Sequence, residues 1–194
     1  MASSLRSNSA RCCSRRPSFS DVPKNTESKH IFDILPADAA DRKDIVKLWH
    51  QGWHDAHANL VPDGVLPYRS KDHFILWLKE ADDAFFIASD DMGAVGFVSV
   101  NGPEVVKLYV SNRAQGTGVA QALLSFGEKR LLEAGIERAM LLCTGGNIRA
   151  ERFYAREGWD LSYSYEGALW TPKTSNERFF VLTHRFEKDL TLLP

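Results

Sequence analysis

The chain has 194 residues, of which 44% are hydrophobic and 25% are charged, and its formal net charge is −1. This length and composition fit a single globular domain with one core, and the sequence contains no run of about 18 apolar residues that would predict a transmembrane helix. The three cysteines, Cys12, Cys13 and Cys143, are too few and too unevenly spaced for a disulfide framework or a zinc site, so we expect a reducing, cytoplasmic environment.

The first 29 residues differ in composition from the rest of the chain. Serine and arginine are abundant there, and the first acidic residue is Asp21. We predict that residues 1–29 form a disordered extension and that residues 30–190 form one domain. Because the segment is rich in Arg and Ser and poor in acids, it also resembles an organellar transit peptide, so organellar targeting stays open beside an ordinary extension or an upstream mis-start.

The domain begins with a predicted strand and a predicted helix. The strand covers residues 31–35 and ends at Pro36. Asp38 or Asp41 can cap the following helix, whose apolar residues recur at helical spacing and which cannot continue past Pro62. The apolar stripe of this helix comprises Ile45, Leu48, Trp49, Gly52, Trp53 and Ala56.

A second helix and a hairpin are predicted next. The helix begins near Ser70, and residues 84–89 and 94–100 alternate as two strands. Between these strands, residues 90–93 read Asp-Asp-Met-Gly, which is typical of a β-hairpin turn. The buried face of the helix is expected to comprise Phe74, Ile75, Trp77 and Leu78.

The second half of the domain predicts strands that alternate with helices. The predicted strands begin at Glu104 and cover 138–143, 159–165 and 179–186, and the predicted helices run to about Ala134 and over 147–156. Gly158 is expected to end the last helix as a C-cap. Helices that lie between strands, with hairpins at both ends, predict an α/β fold in which a mixed sheet is covered on both faces.

A glycine-rich turn separates the strand at Glu104 from the helix that follows it. Gly116 and Gly118 carry no side chains, so a phosphate can approach the backbone closely there. The unpaired N–H groups of the first helical turn, together with the positive end of the helix dipole, favour an anion at the same place. The turn therefore predicts a phosphate or pyrophosphate site.

Two common nucleotide-binding motifs do not fit this turn. The dinucleotide fingerprint G-x-G-x-x-G/A requires a third small residue, and Gln121 stands at that position. A P-loop requires a glycine followed by a lysine, and that pair does not occur in the chain. Residues 115–120 therefore need a different explanation.

Three segments carry motifs in a fixed order. Residues 104–110 read Glu-Val-Val-Lys-Leu-Tyr-Val, residues 115–120 read Gln-Gly-Thr-Gly-Val-Ala, and residues 147–159 read Asn-Ile-Arg-Ala-Glu-Arg-Phe-Tyr-Ala-Arg-Glu-Gly-Trp. They resemble the E-I-x-x-L-Y-V, Q/R-x-x-G-x-G/A and N-x-x-A-x-x-F-Y-x-x-x-G-F motifs of the GNAT superfamily of N-acetyltransferases. The resemblance covers roughly residues 31–187, and its specific part is 104–159.

The resemblance implies a fold and a co-substrate. The fold would be a three-layer α/β/α domain with a mixed, splayed central sheet of about six to seven strands. The co-substrate would be acetyl-CoA, without a metal: the splayed strand would pair with its pantetheine arm, the turn would hold its pyrophosphate, and Asn147 would bind the pantetheine besides capping a helix. The residues so implied are Leu108, Tyr109, Val110, Gln115, Gly116, Thr117, Gly118, Val119, Ala120 and Asn147.

Two residues are candidates for proton transfer. Tyr154 matches the superfamily's tyrosine, whose hydroxyl donates to the departing sulfur, although such a residue also suits a core. Glu104 matches the glutamate that acts as a base through water in the histone-acetylating branch, and strand alternation would place it on one face with Val106, Leu108 and Val110. Glu104 as a turn residue, with a water chain as the proton path, stays open.

The resemblance implies that the N-terminal helices and the last hairpin form the acceptor side. His50, His54 and His57 are spaced by four and three residues along the first helix, but no second set of ligands supports a metal site. Cys143 is expected to be a buried thiol. The residues that could line an acceptor pocket are Trp53, His57, Tyr68, Tyr163 and Trp170.

The predicted reaction is the transfer of an acetyl group from acetyl-CoA to a primary amine, on a small molecule or a peptide, by direct attack in a ternary complex. Two alternatives stay open: transfer to a hydroxyl or a thiol, and a non-catalytic acyl-CoA-binding module. The domain has no basic stripe, so we expect no nucleic-acid partner and no membrane contact. A homodimer is compatible with the sequence.

Overall fold

The computed structural model describes residues 32–192, so the predicted extension and the start of the first predicted strand, Ile31, lie outside the described residues. The strands are β1 (Asp33–Pro36), β2 (Ala84–Asp90), β3 (Gly93–Asn101), β4 (Glu104–Val110), β5 (Arg138–Thr144), β6 (Asp160–Ala168) and β7 (Phe180–Asp189). The α-helices are α1 (Arg42–His57), α2 (Lys71–Glu80), α3 (Val119–Glu133) and α4 (Ile148–Arg156). Short 3-10 segments cover Asp63–Arg69, Asn112–Ala114 and Leu190–Leu192.

The predicted order of elements is confirmed. The strands form one mixed sheet in the order β1-β2-β3-β4-β5-β7-β6, in which β4 and β5 are parallel and the other neighbours are antiparallel. β4 and β5 are parallel because α3 carries the chain back between them. The last two strands are longer than predicted, since β6 ends at Ala168 and β7 at Asp189.

The sheet opens between β4 and β5. These strands pair only at their starts, where Glu104 lies opposite Met140 and Val105 opposite Leu141. The next residue, Val106, is an additional residue in the pairing of β4 with β3, that is, a β-bulge. A bulge bends the strand that carries it, so β4 turns away from β5 immediately after the last shared pair. The predicted splay is therefore present, and it widens toward the carboxyl ends of both strands.

Helices cover the two faces of the sheet. On one face, α3 packs against β3 and β4, and its Leu123 and Leu124 belong to a cluster that includes Val98 and Leu141. On the other face, α1 and α2 pack together over β3 and β4, within a cluster that includes Trp49. The three-layer α/β/α arrangement follows, and no helix in the described part of the chain is long and apolar enough to cross a membrane.

The buried face of α2 is narrower than predicted. Phe74, Trp77 and Leu78, at spacings of three and four residues, contact the α1 layer. Ile75 instead exposes 50% of its surface. In a helix, Ile75 is rotated by about 100° from Phe74. Because only one narrow face of this short helix is packed, Ile75 falls outside the buried face.

One half of the sheet is open on the face that carries α1 and α2. These helices lie over β3 and β4, whereas β5, β7 and β6 continue beyond them. On this half Leu142, Tyr163 and Tyr165 expose 38%, 50% and 39% of their surface. The covering of this face is thus incomplete, and the open half of the sheet forms one wall of a groove beside the splay.

Candidate active site

The turn before α3 is shaped to receive an anion. Gly116 and Gly118 have φ angles of +77° and +90°, in the left-handed region that glycine adopts most readily. A Cβ at either position would meet no atom within 4 Å, so the space in front of the turn is free. Gly118 is the N-cap of α3 and provides no side-chain cap, and Thr117 directs its hydroxyl to the carbonyl of Ala114 at 2.7 Å. The first N–H groups of α3 therefore face open space.

Two helix starts meet beside this turn. The Gln115 amide donates to Asn112 Oδ1 at 2.7 Å and accepts from Arg149 Nη1 at 2.9 Å. Arg149 lies in the first turn of α4, where the helix dipole disfavours a cation. Its hydrogen bond to Gln115 holds the side chain beside the turn despite this unfavourable position. Sequence analysis missed Arg149. A cationic side chain at a predicted helix start was the feature that could have indicated a role in anion binding.

The free edge of β4 lies along the splay. From Lys107 to Val110 the strand pairs with β3, and from Val106 onward it has, among the described residues, no partner on the side of β5. Leu108 and Val110 pack toward the α3 cluster, and Tyr109 packs toward α1. The side chains of β4 therefore serve the core, while its unpaired N–H and C=O groups can bind an extended polar ligand.

Asn147 stands at the mouth of the splay. Its Oδ1 accepts from the backbone N of Ala150 at 3.3 Å, which confirms the predicted helix cap. Its Nδ2 has no hydrogen-bond partner among the described residues and can donate to a ligand. The residue lines a cleft of about 360 Å³ between the end of α1 and the start of α4. The lining residues are Asp55, Ala56, Asn59, Leu60, Gly146, Asn147, Ile148 and Arg149.

Tyr154 projects from α4 into the same region. Its ring lies 5.9 Å from that of Phe186, and its hydroxyl makes no hydrogen bond to another described residue and is not fully enclosed. Burial, and then the neighbouring Cys143 and Tyr109, raise the pKa of the Tyr154 phenol above its ordinary value. The phenol therefore carries its proton at neutral pH and can donate it.

Cys143 is buried, as predicted. It exposes 5% of its surface on β5, and its Sγ lies 3.6 Å from the Thr144 carbonyl oxygen. Burial, and then the charge of Glu151, raise the pKa of the Cys143 thiol to about 12. The thiol is protonated at neutral pH and is a poor nucleophile.

Glu104 is a strand residue at the closed end of the splay. It pairs with Met140 on β5 and, across the two-residue turn of Gly102 and Pro103, with Asn101 on β3, so it closes the turn and is also the first residue of β4. Burial raises the pKa of the Glu104 carboxyl, and so does the charge of Asp83, whereas Lys107 and Arg185 lower it. A half-buried carboxyl with a raised pKa beside an open groove suits a general base.

The predicted face of Glu104 is wrong. Alternation counted back from Leu108 and Val110 placed Glu104 with them, on what is the α3 side. The bulge at Val106 adds one residue to the count, so Glu104 falls on the opposite face. There it lies near Lys107, whose ammonium sits 4.9 Å from the Trp49 ring in the α1 layer. Glu104 thus faces the groove and not the α3 core.

Most of the predicted pocket aromatics gather around one residue, Arg69. Trp53 stacks on His57 at 5.6 Å, and Trp170 stacks on Trp77 at 5.0 Å. The guanidinium of Arg69 lies between Trp53 and Trp77. Sequence analysis missed Arg69 because it lies in the short segment between α1 and α2, which carries no motif.

The other aromatic and histidine candidates are placed apart. Tyr68 donates its hydroxyl to Glu177 at 2.7 Å, in the loop between β6 and β7. Tyr163 lies on the open half of the sheet, under Arg185. His54 Nε2 lies 2.8 Å from the Arg69 carbonyl oxygen, and no three His, Cys, Asp or Glu side chains in residues 32–192 cluster as a metal site.

Comparison with known proteins identifies the class to which this arrangement belongs. Residues 46–159 match the model of the acetyltransferase (GNAT) family, which is more than half of the chain. The protein therefore belongs to the GNAT family. A comparison with curated protein sequences finds no significant match.

Solved structures show the same fold. A GCN5-related N-acetyltransferase from Rhodopseudomonas palustris has a TM-score of 0.63 and 16% identity, over 81% of this chain and 94% of that one. The PaiA N-acetyltransferase of Thermoplasma acidophilum, solved with coenzyme A, has a TM-score of 0.57 and 17% identity, over 82% and 99%. The yncA protein of Salmonella typhimurium, solved with acetyl-CoA, has a TM-score of 0.59 and 16% identity, over 82% and 94%.

Proposed function

We propose that the protein transfers the acetyl group of acetyl-CoA to a primary amine by direct attack in a ternary complex. The observation that carries this proposal is a continuous binding path: the open turn at Gly116 and Gly118 leads to the free edge of β4 and to Asn147. The complexes of similar structures with coenzyme A and acetyl-CoA support the choice of co-substrate.

Each part of the path suits one part of acetyl-CoA. The N–H groups at the start of α3 hold the pyrophosphate, and Gln115 with Arg149 flanks it. The backbone of Val106–Val110 pairs with the amide groups of the pantetheine arm as a neighbouring strand would. Asn147 donates its free amide hydrogen to the same arm. This places the thioester near the closed end of the splay, between Glu104 and Tyr154.

The reaction then needs two proton transfers. The co-substrate supplies an acetyl group activated as a thioester. The amine nitrogen bonds to the carbonyl carbon as the C–S bond breaks, Glu104 takes the proton that the nitrogen loses, and Tyr154 gives a proton to the sulfur. No covalent enzyme intermediate is needed, and the protonated thiol of Cys143 offers none.

An amine acceptor fits the strength of this base. The pKa of a lysine-like amine lies about 3.4 units above neutral pH, so removing its proton adds roughly 4.6 kcal/mol to the barrier. A carboxylate with a raised pKa can take that proton through water. A hydroxyl has a pKa near that of water, about 15.7, and would need a much stronger base. We therefore place the amine ahead of the hydroxyl acceptor.

The direct test is thiol release from acetyl-CoA in the presence of a panel of primary amines that includes amino acids, polyamines and peptides. We expect amine-dependent release and an N-acetylated product by mass spectrometry. Tight binding of acetyl-CoA without turnover on any amine, hydroxyl or thiol would instead support the non-catalytic binding module.

Replacing Glu104 with Gln is expected to lower kcat/KM near neutral pH by about 100-fold and to leave acetyl-CoA affinity unchanged. In the wild type the rate rises with pH as Glu104 ionises, and its raised pKa moves this rise above the pH expected for an exposed glutamate. The variant should lack this rise and recover only as pH approaches the pKa of the amine. A pH-rate profile with an acetyl-CoA titration checks both points.

Glu166→Gln is the matched control for this variant. Glu166 is an exposed glutamate on β6, opposite Leu182, on the face away from the groove. It should keep the wild-type profile. A wild-type profile in Glu104→Gln would remove Glu104 from the mechanism and leave a water chain as the proton path.

We also propose that the domain comprises residues 30–190, that residues 1–29 lie outside it, and that the protein is cytoplasmic. Removing residues 1–28 is then expected to leave the melting temperature and kcat/KM unchanged. Differential scanning calorimetry and the thiol-release assay check this. A clearly lower melting temperature would move the domain boundary toward the N-terminus.

A further inference from the structure

Arg69 is a buried cation with unused hydrogen-bond donors. The side chain exposes 1% of its surface, and its guanidinium carbon lies 4.9 Å from the Trp53 ring centroid and 5.4 Å from that of Trp77. Nη1 donates to the carbonyls of Tyr68 at 3.0 Å and Trp170 at 2.9 Å. Nε and Nη2 are buried and have no hydrogen-bond partner among the described residues.

The surroundings of Arg69 contain no counter-ion. Among residues 32–192, no carboxylate lies within 4.0 Å of the guanidinium. Lys107, the other buried cation over these aromatic rings, does have a counter-ion. It pairs with Asp83, which also accepts a hydrogen bond from Ser99 at 2.8 Å. Burial lowers the pKa of Arg69 to about 10, so the guanidinium is still charged at neutral pH.

The two unused donors share one edge of the guanidinium. The N–H bonds of Nε and Nη2 run nearly parallel, and this fork matches the two oxygens of a carboxylate. Buried polar groups in native proteins are nearly always satisfied, so two buried donors without a partner in residues 32–192 indicate a ligand. Two aromatic rings enclose the fork, which suits a small planar anion.

The fork lies on the acceptor side of the reacting groups. Trp53, over which the guanidinium lies, stacks on His57, and the His57 ring is 6.5 Å from that of Tyr109. Tyr109 belongs to β4 beside the splay; the charge of Arg69 acts to lower the pKa of its phenol, and Tyr109 in turn acts to raise the pKa of the Tyr154 phenol. Tyr109 therefore lies between the fork and the group that protonates the sulfur.

The loop between β6 and β7 contacts the guanidinium of Arg69. Trp170 lies in the segment between β6 and β7, and its ring is stacked on Trp77 with an interplanar angle of 6°. The same segment is joined to Tyr68 through Glu177 and through Ser175, at 2.7 and 3.1 Å. Trp170 lies outside both strands, so displacement of Trp170, which breaks the bond from Arg69 to its carbonyl, exposes Arg69 without unpairing the sheet.

We propose that Arg69 binds a carboxylate of the acceptor, with Nε and Nη2 each donating to one oxygen, so that the acceptor is an amine that also carries a carboxylic acid. This rests on the proposed function, which it narrows from primary amines in general to amino acids and related compounds. Arg69 then selects the acceptor and orients its amine toward Glu104.

The first experiment compares acceptors with and without the anion at equal concentrations of free amine, because amidation also lowers the pKa of the amine. Each amino acid in a panel is assayed beside its carboxamide with the wild-type enzyme, which needs no variant to fold. Loss of a charged, bidentate contact is expected to raise KM for the amide by about 10- to 100-fold. In Arg69→Met this preference should vanish through a higher KM for the acid. Equal kcat/KM for acid and amide in the wild type would overturn the proposal.

The second experiment reads binding without turnover. Trp53, Trp77 and Trp170 surround the guanidinium, so a bound carboxylate should change the tryptophan fluorescence. N-acetylglycine, which has no free amine, is titrated beside N-acetylglycinamide and inorganic phosphate. We expect a saturable change with the acid alone, lost in Arg69→Met and kept in Arg178→Met, which alters an exposed arginine of the same loop.

The two experiments separate the two proposals. A fluorescence change that needs Arg69 and the carboxylate, without acetylation of any amine, would support the site and overturn the proposed function. Acetylation of amines without any effect of the carboxylate would support the proposed function and overturn the carboxylate site at Arg69. A stronger response to phosphate than to N-acetylglycine would overturn the carboxylate assignment.

Discussion

Replacing Tyr154 with Phe is expected to lower kcat by about 100-fold or more and to leave the KM for acetyl-CoA nearly unchanged. The hydroxyl is needed when the sulfur leaves as an anion, and the structure leaves it free of other partners in residues 32–192. Its raised pKa keeps the proton in place throughout the neutral range, so the loss should be similar across that range. Steady-state kinetics with thiol detection check this result.

The control for this variant is Phe153→Leu. Phe153 is the neighbour of Tyr154 on α4, and the two rings lie 5.4 Å apart. Its replacement loosens the same helix without removing a hydroxyl, so it should lower stability more than kcat. If Tyr154→Phe turns over as fast as the wild type, water or another group protonates the sulfur, and Tyr154 is a packing residue.

Replacing Gly118 with Val is expected to weaken acetyl-CoA binding by more than about 100-fold, since charge-assisted hydrogen bonds from the start of α3 would be lost. The space in front of Gly118 is free of protein atoms, so the new side chain would occupy the place assigned to the pyrophosphate. Isothermal titration with acetyl-CoA measures the change.

A valine at Gly118 also strains the backbone, because φ is +90° there. Gly135→Val separates this strain from the loss of binding. Gly135 has a φ of +83° and equally free surroundings, but it lies beyond the other end of α3. Both variants should lose thermal stability, and only Gly118→Val should lose affinity. Unchanged affinity in a folded Gly118→Val protein would show that the turn does not bind the pyrophosphate.

Much of the fold could be predicted from local patterns. Period-two and helical spacing located the sheet strands and the helices, and the glycines at 93, 116, 118 and 158 marked turns that the structure shows with positive φ. The helix cap at Asn147 was also predictable, because its side chain bonds within its own turn. Such features depend on residues close in sequence.

The parts that could not be predicted depend on distant contacts or on irregular backbone. The bulge falls at Val106, a residue with no signal for a bulge, and it reverses the face on which Glu104 lies. Arg69 is buried among Trp53, Trp77 and Trp170, the last of which lies 101 residues away. Neither feature is visible to periodicity, and both decide how the groove is lined.

The bulge also shows what keeps the sheet open. Val106 is supernumerary in the ladder with β3, since Val105 matches Val100 and Lys107 matches Ser99 on either side of it. Without it these neighbours would still match, and a straight β4 could run along β5 for its whole length. The number of residues in β4, rather than the chemistry of the side chain at this position, therefore maintains the gap. A shortened strand would give a more complete sheet with no room for a ligand.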